Sequence, residues 1–279
     1  ADASADASAD ASANASGGEC YAVVPFENSV SGTLQNILIK LVTTPGLHIV
    51  GEVVLAEELC LCARAGAKKD GITTVLSHPH LLTQASAFLR TFARAPLERV
   101  CTFDSSAACA LVDAPHKAAI ASRRAAELHG LEVLDSKVAD VESETRYVVL
   151  GARPAASAHR LGRRCTVSFV LANQQGAMFK CLSCFAFRNL NVLKISTVPL
   201  GGKQDTLVGS GGGGGFELGR WDYVFVLDFV ASPNQAVNDA ALQNLREYAA
   251  RVRVLGEYAP ATSYVSPSKQ NLSSLLAFA

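Results

Sequence analysis

Three times between residues 21 and 110 a short apolar run is followed at once by polar residues and then by a helical pattern. Tyr21 to Val24, stopped by Pro25, leads through Phe26-Glu27-Asn28-Ser29 to a helix from Gly32, with Leu34, Ile37, Leu38 and Leu41 on one face. Thr73 to Leu76 leads through Ser77-His78-Pro79-His80 to a helix reaching Phe92, with Leu82, Ala85, Phe88, Leu89 and Phe92 as its apolar stripe. Val100 to Phe103 leads to Asp104-Ser105-Ser106, a helix N-cap. Such alternation builds α/β sheets, whose polar loops at the carboxyl ends of strands face a ligand. Ile49 to Ala63 reads as one extended stretch. Ala118 to Ala121 is a further strand, with a helix from Ser122 to His129 stopped by Gly130.

Glu142-Ser143-Glu144-Thr145-Arg146-Tyr147 opens another strand-like run, Tyr147 to Leu150. Strand side chains alternate between faces, so Thr145 and Tyr147 share one face and Arg146 takes the other or the edge. Strand ends therefore deliver Glu27, Asn28, Ser77, Ser105, Ser106 and Thr145 to one region, which suits a small-molecule cleft. His78 and His80 fit a hydrogen-bonding loop, with general-base use of His80 as the alternative. No Cys or acidic cluster stands near them at metal-ligand spacing.

The Pro, Ala and Arg-rich stretch at 152–164 marks a domain boundary. Beyond it come strand 166–171, helix 176–188, strands 192–199 and 221–230, helix 236–250 and strand 252–258, the ferredoxin-like βαββαβ order. The Gly209–Gly215 run lacks the Lys and Thr of a phosphate loop and reads as a flexible hairpin insertion. Residues 1–16 repeat Ala-Asp-Ala-Ser, have almost nothing to bury and are expected to be disordered. They lack the features of a signal peptide, and the absence of an initial Met fits a fragment or a processed form. A loose tail is expected from residue 261.

Composition narrows the function classes. Lys plus Arg equals Asp plus Glu at 25 each, so no charge excess points to nucleic acid. The apolar runs are too short for a bilayer. Eight cysteines without a regular framework fit a reduced intracellular protein, and Cys181-Leu-Ser-Cys184 fits helix packing better than metal or redox use.

Taken in order, Val24-Pro25-Phe26-Glu27-Asn28-Ser29, Ser77-His78-Pro79, Ser105-Ser106-Ala107-Ala108, Ala119-Ile120-Ala121 and Thr145-Arg146-Tyr147 resemble the prephenate dehydratases and the related arogenate dehydratases. Gly176-Ala177-Met178, Asn191, Pro199 and Leu255-Gly256-Glu257-Tyr258 resemble the ACT regulatory domain of those enzymes. The resemblance covers about residues 20 to 260. It implies a two-lobed catalytic domain like the periplasmic binding proteins at 19–152, shortened at its start, then a linker at 153–164 and an ACT domain at 165–260. It departs from the family in four places. The opening Gly-rich Thr-Phe-Ser loop is replaced by the repeat. His80 stands for a Gln, although Gln84 keeps the second glutamine position. Ser143 stands for an Asn, and Ser196-Thr197-Val198-Pro199 stands for Glu-Ser-Arg-Pro.

By resemblance, Thr145 is the proton donor of a decarboxylating dehydration, prephenate to phenylpyruvate or arogenate to phenylalanine. Glu27, Asn28, Ser29, Ser77, His78, His80, Gln84, Ser105, Ser106 and Arg146 would hold the substrate. Gly176, Ala177, Met178, Asn191 and Ser196 would hold an L-phenylalanine effector, bound weakly because Ser196 and Val198 replace charged residues. No cofactor or metal is implied. A homodimer or homotetramer is expected, in the cytoplasm or the plastid stroma. A ligand-binding remnant without turnover and, more remotely, a solute-binding protein remain the alternatives, and the shortened start predicts impaired solubility or activity.

Overall fold

The computed structural model describes residues 20–92, 97–155, 162–171, 174–199 and 223–261. The Ala-Asp-Ser repeat, the glycine run and the tail beyond 261 lie outside them. Among the described residues no helix is long and apolar enough to cross a membrane.

The chain opens with β1 (Tyr21–Asn28), β2 (Gly32–Thr33), α1 (Gln35–Thr43) and β3 (His48–Glu57). The first strand does not stop at Pro25; it continues to Asn28 through a bulge at Phe26. Pro has no N–H to give a ladder, and a bulge is where a strand tolerates it. The chain then crosses into a second lobe at Glu58. The stretch expected to be one strand divides there, because β4 (Leu59–Ala63) joins a different sheet.

The second lobe comprises β4, β5 (Thr74–Ser77), α2 (Pro79–Gln84), α3 (Ser86–Phe92), β6 (Glu98–Cys101), α4 (Ser105–Ala110), β7 (Lys117–Ser122), α5 (Arg123–Leu128) and β8 (Glu132–Ser136). The expected single helix through Phe92 is two helices, broken at Ala85. Asp140 makes the break: its carboxylate accepts from Ala87 N (2.8 Å) and Phe88 N (3.1 Å), capping α3 from outside. The five strands lie in the order β6-β5-β7-β4-β8, with β5 parallel to both β6 and β7. Connections leave β5 and β7 toward opposite ends of the sheet, which opens a crevice at their carboxyl ends. Leu59 pairs with Ser122 and Cys60 with Ser136, so the chain enters and leaves this lobe at that same edge.

It returns as β9 (Ser143–Gly151), completing a first-lobe sheet ordered β2-β1-β9-β3. β2 pairs only with Glu27 and Asn28, so the outer edge of Ala22 to Val24 has no strand partner among the described residues, and Val23 is exposed.

β10 (Arg164–Leu171), α6 (Ala177–Ala186), β11 (Val192–Pro199), β12 (Tyr223–Val230), α7 (Gln235–Tyr248) and β13 (Ala249–Tyr258) follow in the βαββαβ order. Their antiparallel sheet is ordered β11-β12-β10-β13, the ferredoxin-like arrangement. One face carries the two helices over a core that includes Val167, Phe169, Phe185, Leu227, Phe229 and Leu245. Cys181 and Cys184 lie in that core, and burial pushes the Cys181 thiol up to about 11. The other face packs on the first lobe, where Val170, Val198, Val226, Leu255 and Tyr258 share one core with Phe26, Leu38, Leu41, Ile49, Val148 and Leu150. Arg253 also reaches across, donating to the Leu41 and Val42 carbonyls in the last turn of α1 and to the Leu47 carbonyl just before β3. The whole is an α/β protein with a two-lobed first part.

Candidate functional site

The bulge at Phe26 decides what stands beside Thr145. It sets Glu27 opposite Arg146 and Asn28 opposite Thr145. Without the extra residue, Glu27 would face Thr145 and every side chain beyond would change sides. Asn28 is buried, and its Oδ1 accepts from Val30 N (2.9 Å) and Ser31 N (3.0 Å). Those two bonds fix the amide, so Nδ2 is the atom that donates to Thr145 Oγ1 at 3.0 Å. Thr145 is 5 % exposed, and its own hydroxyl donates to Glu57 Oε1. The other oxygen of Glu57 accepts from Ser143 at 2.9 Å. Ser29 closes the corner through two bonds to the Glu144 backbone, at 2.8 and 2.9 Å.

This polar cluster sits at the join between the lobes. Glu57 is the last residue of β3 before the crossing and Ser143 the first of β9 after the return. Glu58, next along, turns to the second lobe and ion-pairs with Arg123 at 3.3 Å. The edge it meets carries the starts of α2, α4 and α5. His78 Nδ1 accepts from His80 N (3.2 Å), Asp104 Oδ1 from Ala107 N (2.7 Å) and Ser122 Oγ from Ala125 N (3.2 Å). These caps occupy some of the first-turn N–H groups of the three helices, which leaves fewer of them for an anion.

The other face of the same strands does different work. Arg146, 6 % exposed, meets carboxylates on three strands. Nη1 donates to Glu52 at 3.2 Å and Nη2 to Asp228 at 2.9 Å, while Nε lies 2.7 Å from Glu27 Oε1 without hydrogen-bond alignment. Its guanidinium stands 4.8 Å from the centre of the Phe26 ring. Lys194, on β11, donates to Glu27, and Arg164, on β10, to Glu52 at 3.0 Å. Asp228 also accepts from Thr166 at 2.8 Å, so it is the Tyr258 hydroxyl that donates to Thr166, at 3.0 Å. Burial, then the charges of Asp228, Tyr258 and Glu27, bear on Arg146, and the net effect holds it charged beyond an ordinary arginine. Burial pushes the Tyr258 phenol far up, and the Asp228 charge adds to it.

The expected site residues thus part company. Thr145, Asn28 and Ser29 come together. Arg146 and Glu27 face the ferredoxin-like domain, because alternation along β1 and β9 turns them away from Thr145. Ser77 is fully buried and donates to the Ile120 carbonyl at 2.6 Å, so its hydroxyl serves the sheet. His80 and Gln84 meet at 3.2 Å one turn apart on α2, and Ser106 meets His129 at 3.2 Å, while Ser105 is half-buried at the start of α4. The expected effector residues are not gathered in one place. Ser196 faces the first lobe, with its Oγ 3.4 Å from that of Thr33. Gly176 has φ +72 and precedes α6, whose Ala177 and Met178 open the helix. Ala177 lines a hollow of about 260 Å³ with Gln174, Lys180 and residues 247–250. The glycine is demanded by its backbone angle and not by close approach, since a Cβ there would meet nothing. Asn191 is exposed.

Two residues of this region escaped the sequence reading: Glu57 and Arg123. Glu57 lies inside a stretch that reads as one strand, and only the change of sheet at Glu58 brings it to the join. Arg123 directly follows the end of β7, the kind of position that marked the other loop residues.

Comparison with known proteins is consistent with this architecture. The prephenate dehydratase family model matches residues 5–155. The chain is 36% identical over 259 residues to arogenate dehydratase 3, chloroplastic, of Arabidopsis thaliana, covering 91% of this chain and 60% of that protein. It spans about 60% of the length of that relative. Among solved structures, prephenate dehydratase from Arthrobacter aurescens in complex with L-Phe superposes with a TM-score of 0.72 at 26% identity, covering 92% of this chain and 81% of that one. A protein described as a quorum quenching acylase, GqqA, superposes with a TM-score of 0.70 at 26% identity, covering 87% and 82%. The chain belongs to the prephenate dehydratase family.

Proposed function

We propose that the protein catalyses the decarboxylating dehydration of prephenate to phenylpyruvate, with arogenate, giving phenylalanine, as the other substrate of the same chemistry. The observation that carries this reading is the Thr145 hydroxyl, buried at the join of two lobes and held between Asn28 and Glu57. Loss of the ring carboxylate as carbon dioxide and of the ring hydroxyl as water makes the ring aromatic. The barrier lies in turning hydroxide into a leaving group, which a positioned proton donor lowers by about 10²- to 10⁴-fold. Thr145 is that donor, and Asn28 is its orienting partner. Arg123, exposed at the start of α5, is the guanidinium this edge offers to an anionic substrate, in the role expected of Arg146. Ser29, His78, His80, Gln84, Ser105 and Ser106 complete the substrate side.

The ferredoxin-like domain is, in this reading, an ACT domain that joins the chain into a homodimer or homotetramer and takes L-phenylalanine weakly. The compartment follows the chloroplastic relative: the plastid stroma. A second reading, a domain that binds without turnover, draws on the outer edge of Ala22 to Val24, which has no strand partner among the described residues. The test is direct. The 279-residue chain is incubated with each substrate, and phenylpyruvate and phenylalanine are measured separately. Turnover of either supports the dehydratase. Binding of both without product supports the second reading.

A further inference from the structure

The Thr145 hydroxyl has one proton, and it is already spent. It points at Glu57 Oε1, while the oxygen accepts from Asn28 Nδ2 at 3.0 Å. Asn28 cannot turn its amide to relieve this, because its oxygen is held by Val30 N and Ser31 N. With Glu57 ionised, therefore, Thr145 has an acceptor pair for a substrate and no proton to give. One change reverses this. If Glu57 carries a proton, the carboxylic acid donates to Thr145 Oγ1 in place of accepting from it. The Thr145 proton is then free to turn into the cleft.

We infer that Glu57 is the positioning acid behind Thr145 and supplies, through it, the proton that leaves as water. This rests on the dehydratase reading above. The bond between the ring and its carboxylate breaks, its electron pair enters the ring, and carbon dioxide departs. The ring carbon–oxygen bond breaks with its pair on oxygen. That oxygen takes the Thr145 Oγ1 proton, and Thr145 Oγ1 takes the Glu57 proton. Glu57 is left as carboxylate and regains a proton from solvent. The relay also answers a chemical difficulty: an unaided alcohol is a far weaker acid than a carboxylic acid.

Glu57 is placed for the task. Its second oxygen accepts from Ser143 at 2.9 Å, which holds the carboxyl while its other oxygen exchanges roles with Thr145. It is half-buried, so solvent can reprotonate it. Its titratable neighbour across the ladder is Tyr147 on β9, whose phenol is pushed up by burial and then by the Glu57 charge. From β1 it is approached through neutral Asn28, and the adjacent Glu58 is directed to Arg123.

The test compares the wild-type chain with Glu57→Gln and Glu57→Asp on prephenate and arogenate, reading kcat, KM and the pH profile of kcat. Gln keeps the shape and the hydrogen bonds but has no transferable proton. Its kcat should fall by about 10²-fold or more while KM changes by about threefold at most. The limb of the profile in which turnover falls as pH rises should be present in wild type and absent in Glu57→Gln. Glu57→Asp, which keeps an acid, should retain that limb at reduced kcat. Active wild type together with a Gln variant within about threefold of its kcat overturns the Glu57 assignment alone. Wild type inactive on both substrates overturns the dehydratase reading, and the assignment falls with it.

Discussion

Arg146 and Asp228 meet at 2.9 Å across the boundary between the first lobe and the ferredoxin-like domain, one residue along β9 from Thr145. The residue that faces the cleft and the residue that locks the second domain are thus neighbours on one strand. Removing one partner of a buried pair leaves the other's charge uncompensated, which costs about 3–5 kcal/mol. Arg146→Met should lower stability by about that amount, because buried Asp228 loses the guanidinium and keeps the Thr166 hydroxyl, while Glu52 retains Arg164. Asp228→Asn should cost less, since Arg146 keeps Glu52 and Glu27. Denaturant unfolding of both variants checks the order. If Arg146→Met were as stable as wild type while its KM rose tenfold, a substrate-binding Arg146 would be restored.

Gly256 supplies the second lock. A Cβ built there would stand 2.1 Å from the Ile49 carbonyl oxygen, a backbone atom with nowhere to go. Gly256→Ala should therefore force β13 and β3 apart, at a cost of about 1–3 kcal/mol or more. Melting temperature and protease sensitivity of the 152–164 connection are the readouts. An Ala variant that melts with wild type would mean that the two strands do not approach as described.

Glu27 makes the join pH-sensitive. Burial alone would raise its pKa, but the Lys194 hydrogen bond and the Arg146 charge outweigh this and hold it below its usual 4.5. A carboxylate whose folded pKa is depressed adds stability above its unfolded pKa and loses it as pH falls through the folded value. The melting temperature should thus decline below about pH 4.5, and Glu27→Gln should flatten part of that decline. An identical slope in both proteins would show that other carboxylates account for the loss.

Weak binding of L-phenylalanine is expected for a structural reason. Val198 is 1 % exposed in the core shared with the first lobe, and Ser196 faces Thr33. Neither is turned toward the hollow beside Ala177. Calorimetric titration of the full chain should give millimolar affinity or none, and a micromolar constant would contradict this.

Much of the fold was legible. Alternation along Thr145-Arg146-Tyr147 separates their faces on pattern alone, and the βαββαβ order identifies the second sheet. Three things were not legible, each because a distant residue decides it. The bulge at Phe26 chooses Asn28 over Glu27 as the partner of Thr145. Asp140 splits a helix whose apolar stripe runs on unbroken. Glu57 becomes a site residue only when β3 and β4 part into different sheets. Local pattern cannot supply these, because each depends on contacts across the chain.

If the Thr145 hydroxyl delivers the proton, its removal alone must slow the chemical step, and Thr145→Val makes that change. Valine keeps the shape and strand preference and removes only the hydroxyl. Single-turnover conversion of prephenate and arogenate, measured beside substrate affinity, should slow by about 10²-fold or more with affinity nearly unchanged. Wild-type rates in the folded variant would mean that Thr145 is not the proton donor.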